Sequence, residues 1–249
     1  DDECHTYEGE SYCLECYDNL EREEEVPCYH GARRWSPPAA PCYSFELEVE
    51  AEERGELVTL LSGRAFDKVS WEKDGSLSCS DGLEILIQLR DSLPELASDT
   101  CTLVRHIKGK SLGLRSWQGG KCGLHLNSNR FGWSMHSVMR LVYIVRSCKD
   151  ELVRISGRES SQWASFAPNG YTLHQEAYCQ AGKYRALRIG ADRMEWRMFR
   201  GTLSEKRIKL YCDTVACLET LAQSDIPAHH LRVKANSVLT QLLNSFNNL

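Results

Sequence analysis

Four carboxylates occupy positions where the sequence alternates between apolar and polar residues, as a β-strand does. Glu46 and Glu48 lie in FELEVE. Glu84 interrupts the apolar run GLEIL, and Glu195 lies in RMEWRMF. A charged side chain on a strand face is costly to bury unless it is paired or binds a ligand. Each one alone is also compatible with a solvated sheet face or a surface ion pair, so the carboxylates have to be considered with their neighbours.

Basic and amide side chains accompany these carboxylates in the same strand patterns. His125 and Asn127 are two residues apart in GGKCGLHLN, so they share one strand face while the flanking leucines share the other. Alone, this pair is more typical of a satisfied polar pair in a core than of a site. Arg193 and Arg197 lie two residues before and two residues after Glu195, so they share its strand face. Arg158 follows a glycine in ISGRES.

Taken together, these side chains are the groups that Mg²⁺–polyphosphate chemistry uses. Mg²⁺ takes hard oxygen ligands and often shares them with phosphates. Arginines stabilise the charge that develops on a transferring phosphoryl group. The sequence contains no Walker A loop, no glycine-rich dinucleotide turn after a strand and no nucleophile elbow. We therefore expect the carboxylates to converge in one metal-dependent site.

Hydrophobic periodicity predicts the elements that position this site. Strands are predicted in SFELEVE, VSWEKDG, GLEILIQL, KCGLHLNS, KYRALRIG and RMEWRMFRG. Helices are predicted over 92–109, 134–153, 204–223 (capped by Ser204) and 230–246. Neighbouring strands follow one another like hairpins, so the order favours an α+β fold with a largely antiparallel sheet over parallel βαβ units.

Five short motifs, in order between about residues 43 and 223, resemble those of the amidoligase family of phages and bacteria. They are FELEVE, DGSLSCSDGLEI, CGLHLN, ISGRE and RMEWRMFRGTL. That family belongs to the glutamine synthetase/glutamate–cysteine ligase superfamily of carboxylate–amine ligases. Two positions depart from the family pattern: Arg188 stands where relatives tend to have Asn, and Asn127 stands where glutamine synthetases often have a second His.

The resemblance implies a fold and a set of residue roles. The fold would be a curved, largely antiparallel sheet with helices on its convex side and the site on its concave face. The residues implied to hold Mg²⁺ (or Mn²⁺) are Glu46, Glu48, Glu84 and Glu195. The residues implied to contact the phosphates of ATP or the substrate are His125, Asn127, Arg158, Arg193 and Arg197, with Arg188 a further candidate for the phosphate clamp.

The activity implied by the resemblance is ATP-dependent formation of an amide or isopeptide bond through an acyl phosphate. The carboxylate and amine substrates are unidentified, and a peptide, a protein or a modified nucleic acid are candidates. Two alternatives stay open: a phosphotransferase of the same fold, and a non-catalytic zinc-bearing interaction module on a degenerate ligase scaffold. We expect Glu195→Ala to abolish turnover and leave the fold intact.

Residues 1–30 form a cysteine-rich segment that is poor in aliphatic residues and resembles the zinc ribbon of phage relatives. Cys13 and Cys16 make one Cys-x-x-Cys knuckle in YCLECYDN, and Cys4 and His30 are predicted to complete a Zn²⁺ site. A reduced, flexible arm is the alternative, and so is a truncated ribbon whose second knuckle stands upstream of Asp1. Residues 31–42, rich in Pro and Ala, are predicted to be a linker, and 43–249 the catalytic domain with C-terminal helices.

Composition limits the partners and the compartment. The formal net charge of −5 argues against wholesale binding to a nucleic-acid backbone, which requires a basic excess on one face. No apolar run is long enough to span a membrane. Twelve cysteines without a visible secretory signal favour thiols and metal ligands over disulfides, so we expect a reducing cytoplasm (the host cytoplasm for a phage protein). The later, dispersed cysteines are expected to be buried.

Overall fold

The structure is a computed structural model, and it describes the backbone of residues 4–7, 10–13, 40–63, 68–73, 77, 81–117, 122–159, 164–166, 170–179, 182 and 184–248. Over these residues the chain forms an α+β fold, as predicted. No helix in the described ranges is both long enough and apolar enough to cross a bilayer.

In the part of the chain that the structure describes, eight strands form two antiparallel sheets. A two-stranded sheet pairs β1 (Cys4–Tyr7) with β2 (Glu10–Cys13). The strands of the larger sheet are β3 (Tyr43–Glu50), β4 (Val69–Glu72), β5 (Gly82–Arg90), β6 (Gly123–Asn129), β7 (Leu187–Ile189) and β8 (Arg193–Arg200). Their order across the sheet is β4-β5-β3-β6-β8-β7, and every neighbouring pair is antiparallel. The predicted antiparallel sheet is therefore confirmed.

Seven helices accompany the strands in the described ranges. They are α1 (Arg54–Leu61), α2 (Leu93–Lys108), α3 (Met135–Ser147), α4 (Lys149–Ser156), α5 (Leu173–Ala177), α6 (Glu205–Gln223) and α7 (Ala228–Asn247). Helix α2 packs against β3 and β5, and α4 packs against β8. Helix α6 lies against α2, α3 and α7, so the helices form a layer over one face of the sheet.

The apolar positions of the alternating strands form the core between sheet and helices. Phe45, Leu47 and Val49 of β3 are fully buried. Leu124 and Leu126 of β6 are also fully buried and pair with Leu47 and Phe45 in the ladder. Because successive side chains of a strand alternate in direction, burying these residues against the helices sends Glu46, Glu48 and His125 to the opposite face.

Two helix predictions need correction. The predicted helix over 134–153 is two helices, because the chain leaves helical geometry at Cys148 (φ −109°, ψ 27°). The Ser147 hydroxyl donates to the carbonyl of Tyr143 at 2.7 Å, a contact that bends helices. Ser204 does precede α6, but its side chain makes no capping hydrogen bond. Instead, its backbone N–H donates to the Thr202 hydroxyl at 3.1 Å.

Helices α1 and α5 and the β1–β2 pair are additional to the predicted elements. Most of the proposed linker, 31–39, lies outside the described residues. Among the dispersed cysteines, Cys79 lies outside the described residues, and Cys101, Cys122, Cys148 and Cys212 are buried as expected. Cys217 is half-buried, and the expectation is wrong for Cys179, which is exposed.

Candidate functional site

The face of the large sheet opposite the core carries the predicted polar residues. Register places Glu48 opposite Glu84, Glu46 opposite His125, and Asn127 opposite Glu195. One continuous row therefore crosses four strands, β5, β3, β6 and β8. We call this set the polar face, and its members are Glu46, Glu48, Glu84, His125, Asn127, Arg158, Arg188, Arg193, Glu195 and Arg197.

Glu48, Glu84 and His125 form one half of the polar face. All three side chains are buried, and each offers a ligand atom within 4.8 Å of the other two. The Nε2 of His125 lies 3.6 Å from Oε1 of Glu48. The other oxygen of Glu48 accepts a hydrogen bond from the backbone N–H of Gly123. This half is rich in carboxylate oxygens.

Glu46 occupies the centre of the polar face. Its Oε2 lies 3.2 Å from Nδ1 of His125, and its Oε1 accepts a hydrogen bond from the Asn127 amide at 2.8 Å. The guanidinium of Arg193 lies 3.7 Å from the same Oε1. The imidazole of His125 thus stands between two carboxylates, those of Glu46 and Glu48, with one ring nitrogen toward each.

Glu195 and the arginines around it form the other half. Glu195 is 2% exposed, and each of its oxygens accepts a hydrogen bond from an arginine. Arg197 donates to Oε1, and Arg188 donates to Oε2 at 3.0 Å. The Oε1 atom also lies 3.9 Å from Nδ1 of His125. The predicted metal ligand Glu195 is therefore already paired with two cations.

A β-bulge directs Arg197 into this half. The backbone N–H groups of Arg197 and Met198 both donate to the carbonyl of Ala186, at 2.9 and 3.1 Å. Two residues of β8 thus oppose a single residue, Ala186, in the segment just before β7. Such a bulge changes the direction of the side chains beside it. Bulges of this kind are common beside functional sites.

Arg158 enters the polar face from the end of α4. Gly157 closes that helix with φ +64°, a left-handed conformation that glycine adopts without strain. Arg158 is buried, and its Nη1 lies 3.4 Å from the carbonyl of Arg197. A Cβ added to Gly123 would lie 2.8 Å from the same Nη1 and 3.1 Å from Nε2 of His125. Gly123 therefore leaves the space that the Arg158 guanidinium uses.

The charges of the polar face set the ionisation of its members. Burial would raise the pKa of Glu46, but the hydrogen bond and charge of His125, with Arg193 and Asn127, outweigh it and lower the pKa to about 2. Burial would lower the pKa of His125, but the hydrogen bond that its ring donates to Glu46 and the charge of Glu48 raise it. Burial lowers the pKa of the Arg158 guanidinium, which Glu48 partly opposes. Ionised side chains are therefore favoured at Glu46 and His125.

The donor set fits a divalent cation. Two groups of ligand atoms lie within 4.8 Å of one another: Glu48, Glu84 and His125, and Glu46, His125 and Glu195. In addition, Oδ1 of Asn127 is buried and has no hydrogen-bond partner among the described residues. Carboxylate and amide oxygens are the ligands that Mg²⁺ and Mn²⁺ prefer. A metal bound through His125 would displace the proton that its neighbours favour.

Glu72 is a site residue that the sequence analysis did not single out. It is buried at the end of β4 and lies opposite Glu84 in the ladder. It extends the row of carboxylates to a fifth strand. The sequence could have indicated this position, because Glu72 shares a strand face with Ser70 in the alternating stretch VSWE. The other predicted residues of the polar face are all brought together.

The predicted zinc ligands are only partly described. Strand register places Cys4 directly opposite Cys13 in the β1–β2 pair. Cys16 and His30 lie outside the described residues. The zinc site therefore stays a prediction.

Comparisons with known proteins define no family for this chain. No protein-family model matches it, and no curated protein matches it. Among solved structures, it is similar to a chain of the crystal structure of the complex between the prokaryotic ubiquitin-like protein Pup and its ligase PafA. The TM-score is 0.42 and the identity 10%, over 84% of this chain. This chain spans 57% of the length of that one.

Proposed function

We propose that the polar face is the active site of an ATP-dependent carboxylate–amine ligase. The observation that carries the proposal is the convergence of buried carboxylates with buried His125 and Arg158, and with further arginines, on one sheet face. This arrangement separates a carboxylate-rich half around Glu48 and Glu84 from an arginine-rich half around Glu195. A magnesium–nucleotide complex has the complementary pair of charges, a divalent cation beside a polyanion.

Each half has a distinct task in this proposal. Glu46, Glu48, Glu84 and Glu195 would hold Mg²⁺ or Mn²⁺, which when bound offsets the negative charge of the phosphates. Arg158 and Arg197 would orient the γ-phosphate and stabilise the charge that develops as it is transferred. The burial of Arg158 strengthens this stabilisation, because a low-dielectric environment screens charge less than water does.

The proposed reaction has two steps. An oxygen of the substrate carboxylate attacks the γ-phosphorus of ATP, and the bond from this phosphorus to the β–γ bridging oxygen breaks. The products of this step are an acyl phosphate and ADP. The amine nitrogen then attacks the acyl carbon, the bond from this carbon to the phosphate oxygen breaks, and inorganic phosphate leaves. The nitrogen loses one proton to give a neutral amide. The carboxylate and amine substrates are unidentified; a peptide, a protein and a modified nucleic acid are the candidates we propose.

Hydroxylamine provides the direct test, because it attacks acyl phosphates and gives hydroxamates. The purified protein would be incubated with ATP, Mg²⁺, hydroxylamine and, in turn, glutamate, aspartate and a glutamate-containing peptide. We expect equal amounts of ADP and hydroxamate with at least one carboxylate, and a loss of about 100-fold or more in Glu84→Gln. Glu50→Gln is the matched control, since Glu50 lies at the end of β3, 4.0 Å from Arg115 and outside the ligand sets.

Two other outcomes would contradict the ligase. ADP that forms without hydroxamate, with the phosphate recovered on the acceptor, would indicate a phosphotransferase. The absence of ADP with every acceptor would leave the non-catalytic interaction module.

We also propose that the N-terminal segment binds Zn²⁺ through Cys4, Cys13, Cys16 and His30. The register that sets Cys4 opposite Cys13 is compatible with two ligands of one ion. Elemental analysis of the purified protein should give one zinc per chain, and Cys13→Ser should remove it. A zinc content that Cys13→Ser leaves unchanged would overturn this assignment.

A further inference from the structure

Arg188 is placed so that it competes with a cation for Glu195. It lies opposite Glu195 on β7, the last strand of the described sheet, and its Nη1 donates to Oε2 at 3.0 Å. Its side chain is 39% exposed, whereas that of Glu195 is 3% exposed. A buried carboxylate is thus covered by a guanidinium that reaches it from the solvent side.

The second arginine on Glu195 is held differently. Arg197 donates to Oε1, but its side chain is 18% exposed and its backbone is fixed in the β-bulge. A cation that approached Glu195 would meet repulsion from both guanidinium groups, because like charges separated by a few ångströms in a weakly screened site repel strongly. Arg188 is the partner that can move into solvent at the lower cost.

We propose that Arg188 acts as a latch on Glu195: its guanidinium stays on the carboxylate until an oxyanion binds the guanidinium instead. Anion binding and divalent-metal binding are therefore coupled. This inference rests on the proposed function, since it assumes that Glu195 contributes to a metal site. While the latch is closed, both oxygens of Glu195 serve as acceptors for arginines. Once Arg188 pairs with the anion, Oε2 of Glu195 is released to a cation.

The chemistry of the guanidinium specifies the class of ligand. Its planar fork of N–H donors matches a carboxylate or a phosphate, either of which can take two parallel hydrogen bonds. Two sources could supply that oxyanion, the phosphates of the nucleotide and the carboxylate of the substrate. Thermodynamic reciprocity requires that the metal strengthens anion binding by the same factor as the anion strengthens metal binding.

The test is a titration of the protein with Mn²⁺, alone and with inorganic phosphate or succinate, in which the electron paramagnetic resonance signal measures the free ion. In the wild type, we expect at least one of these anions to tighten Mn²⁺ binding about tenfold. Enhancement by phosphate assigns the release to nucleotide phosphates, and enhancement by succinate assigns it to a substrate carboxylate. In Arg188→Gln, Mn²⁺ should bind more tightly without an anion, and the enhancement should disappear.

Arg105→Gln is the charge-matched control, because Arg105 is an exposed residue of α2 paired with Glu205 away from the polar face. It should behave as the wild type. Mn²⁺ binding that neither anion changes, or an enhancement that persists in Arg188→Gln, would overturn the latch and leave the metal site standing. If no protein bound Mn²⁺, the proposed function itself would fail.

Discussion

The two faces of one sheet shift the pKa of a carboxyl group in opposite directions. On the polar face, Glu46 lies among His125, Arg193 and Asn127, and its pKa is lowered to about 2. On the helix face, Glu219 of α6 is buried among neutral groups and accepts hydrogen bonds from Ser128 (2.7 Å) and Tyr43 (3.2 Å). Burial raises the pKa of Glu219 to about 7, although the hydrogen bonds from Ser128 and Tyr43 oppose the shift.

Burial itself acts in the same direction on both carboxyl groups, so the difference comes from their partners. Cationic partners offset the cost of removing a carboxylate from water, whereas hydroxyl groups offset only part of it. The polar face can thus keep negative charge out of water, as a cation site requires. The helix face favours the protonated acid, as a packed core requires.

The largest expected effect is on the helix face. Trp196 is fully buried on β8 and pairs with Leu126 and Leu187 in the ladder. Trp196→Ala should lower the free energy of unfolding by about 4 kcal/mol, because it removes a large apolar side chain and leaves a cavity. Urea denaturation measures this loss.

Arg197→Lys, the next residue along the same strand, is the counterpart on the polar face. It should change the free energy of unfolding by no more than about 1 kcal/mol and lower ADP formation by about 100-fold. Equal losses of stability in the two variants would contradict the division between a structural and a functional face.

Glu219→Gln tests the helix-face carboxyl. The folded protein holds this proton up to about pH 7, whereas the unfolded chain releases it near 4.5. The carboxyl therefore stabilises the fold fully below about pH 4.5, and this contribution is lost as the pH rises through about 7. The stability of the wild type relative to Glu219→Gln should fall by on the order of 3 kcal/mol between pH 4.5 and pH 8.

Denaturation of both proteins at several pH values measures this difference. If the two stabilities stayed parallel over the whole range, Glu219 would not hold its proton in the folded protein.

Gly123→Ala should have a smaller effect on stability and a specific effect on the polar face. The added methyl group would meet the flexible end of Arg158 at 2.8 Å, so the guanidinium has to shift. We expect a loss of about 1 kcal/mol in the free energy of unfolding and a decrease in ADP formation of about tenfold or more, because small displacements of positioning groups are costly in catalysis. Gly55→Ala adds a Cβ that meets nothing within 4 Å and should leave ADP formation unchanged.

The strands of the site could be predicted from the sequence because their alternation is local. FELEVE alone shows that Glu46 and Glu48 share a face, and GLHLN shows the same for His125 and Asn127. Burial of the apolar partners then determines which face is polar. These positions required no knowledge of which strands are neighbours.

The contacts between strands could not be predicted in the same way. The pairing of Arg188 with Glu195 depends on the placement of β7 next to β8, and that of Glu72 with Glu84 depends on β4 lying next to β5. The bulge at Arg197 and Met198 depends on how β8 meets Ala186. The helix break at Cys148 could not be predicted, because the helical periodicity of apolar residues continues through this position. The periodicity carries no sign of the hydrogen bond from the Ser147 hydroxyl to the backbone.

The function proposed for the polar face requires that its carboxylates bind a metal–nucleotide complex. Calorimetric titration of ATP, with Mg²⁺ or with EDTA, into the wild type, Glu48→Gln and Glu50→Gln tests it most directly. We expect binding only with Mg²⁺, an affinity at least about tenfold weaker in Glu48→Gln, and wild-type affinity in Glu50→Gln. ATP binding that is equal in EDTA, unchanged in Glu48→Gln or absent from every protein would contradict it.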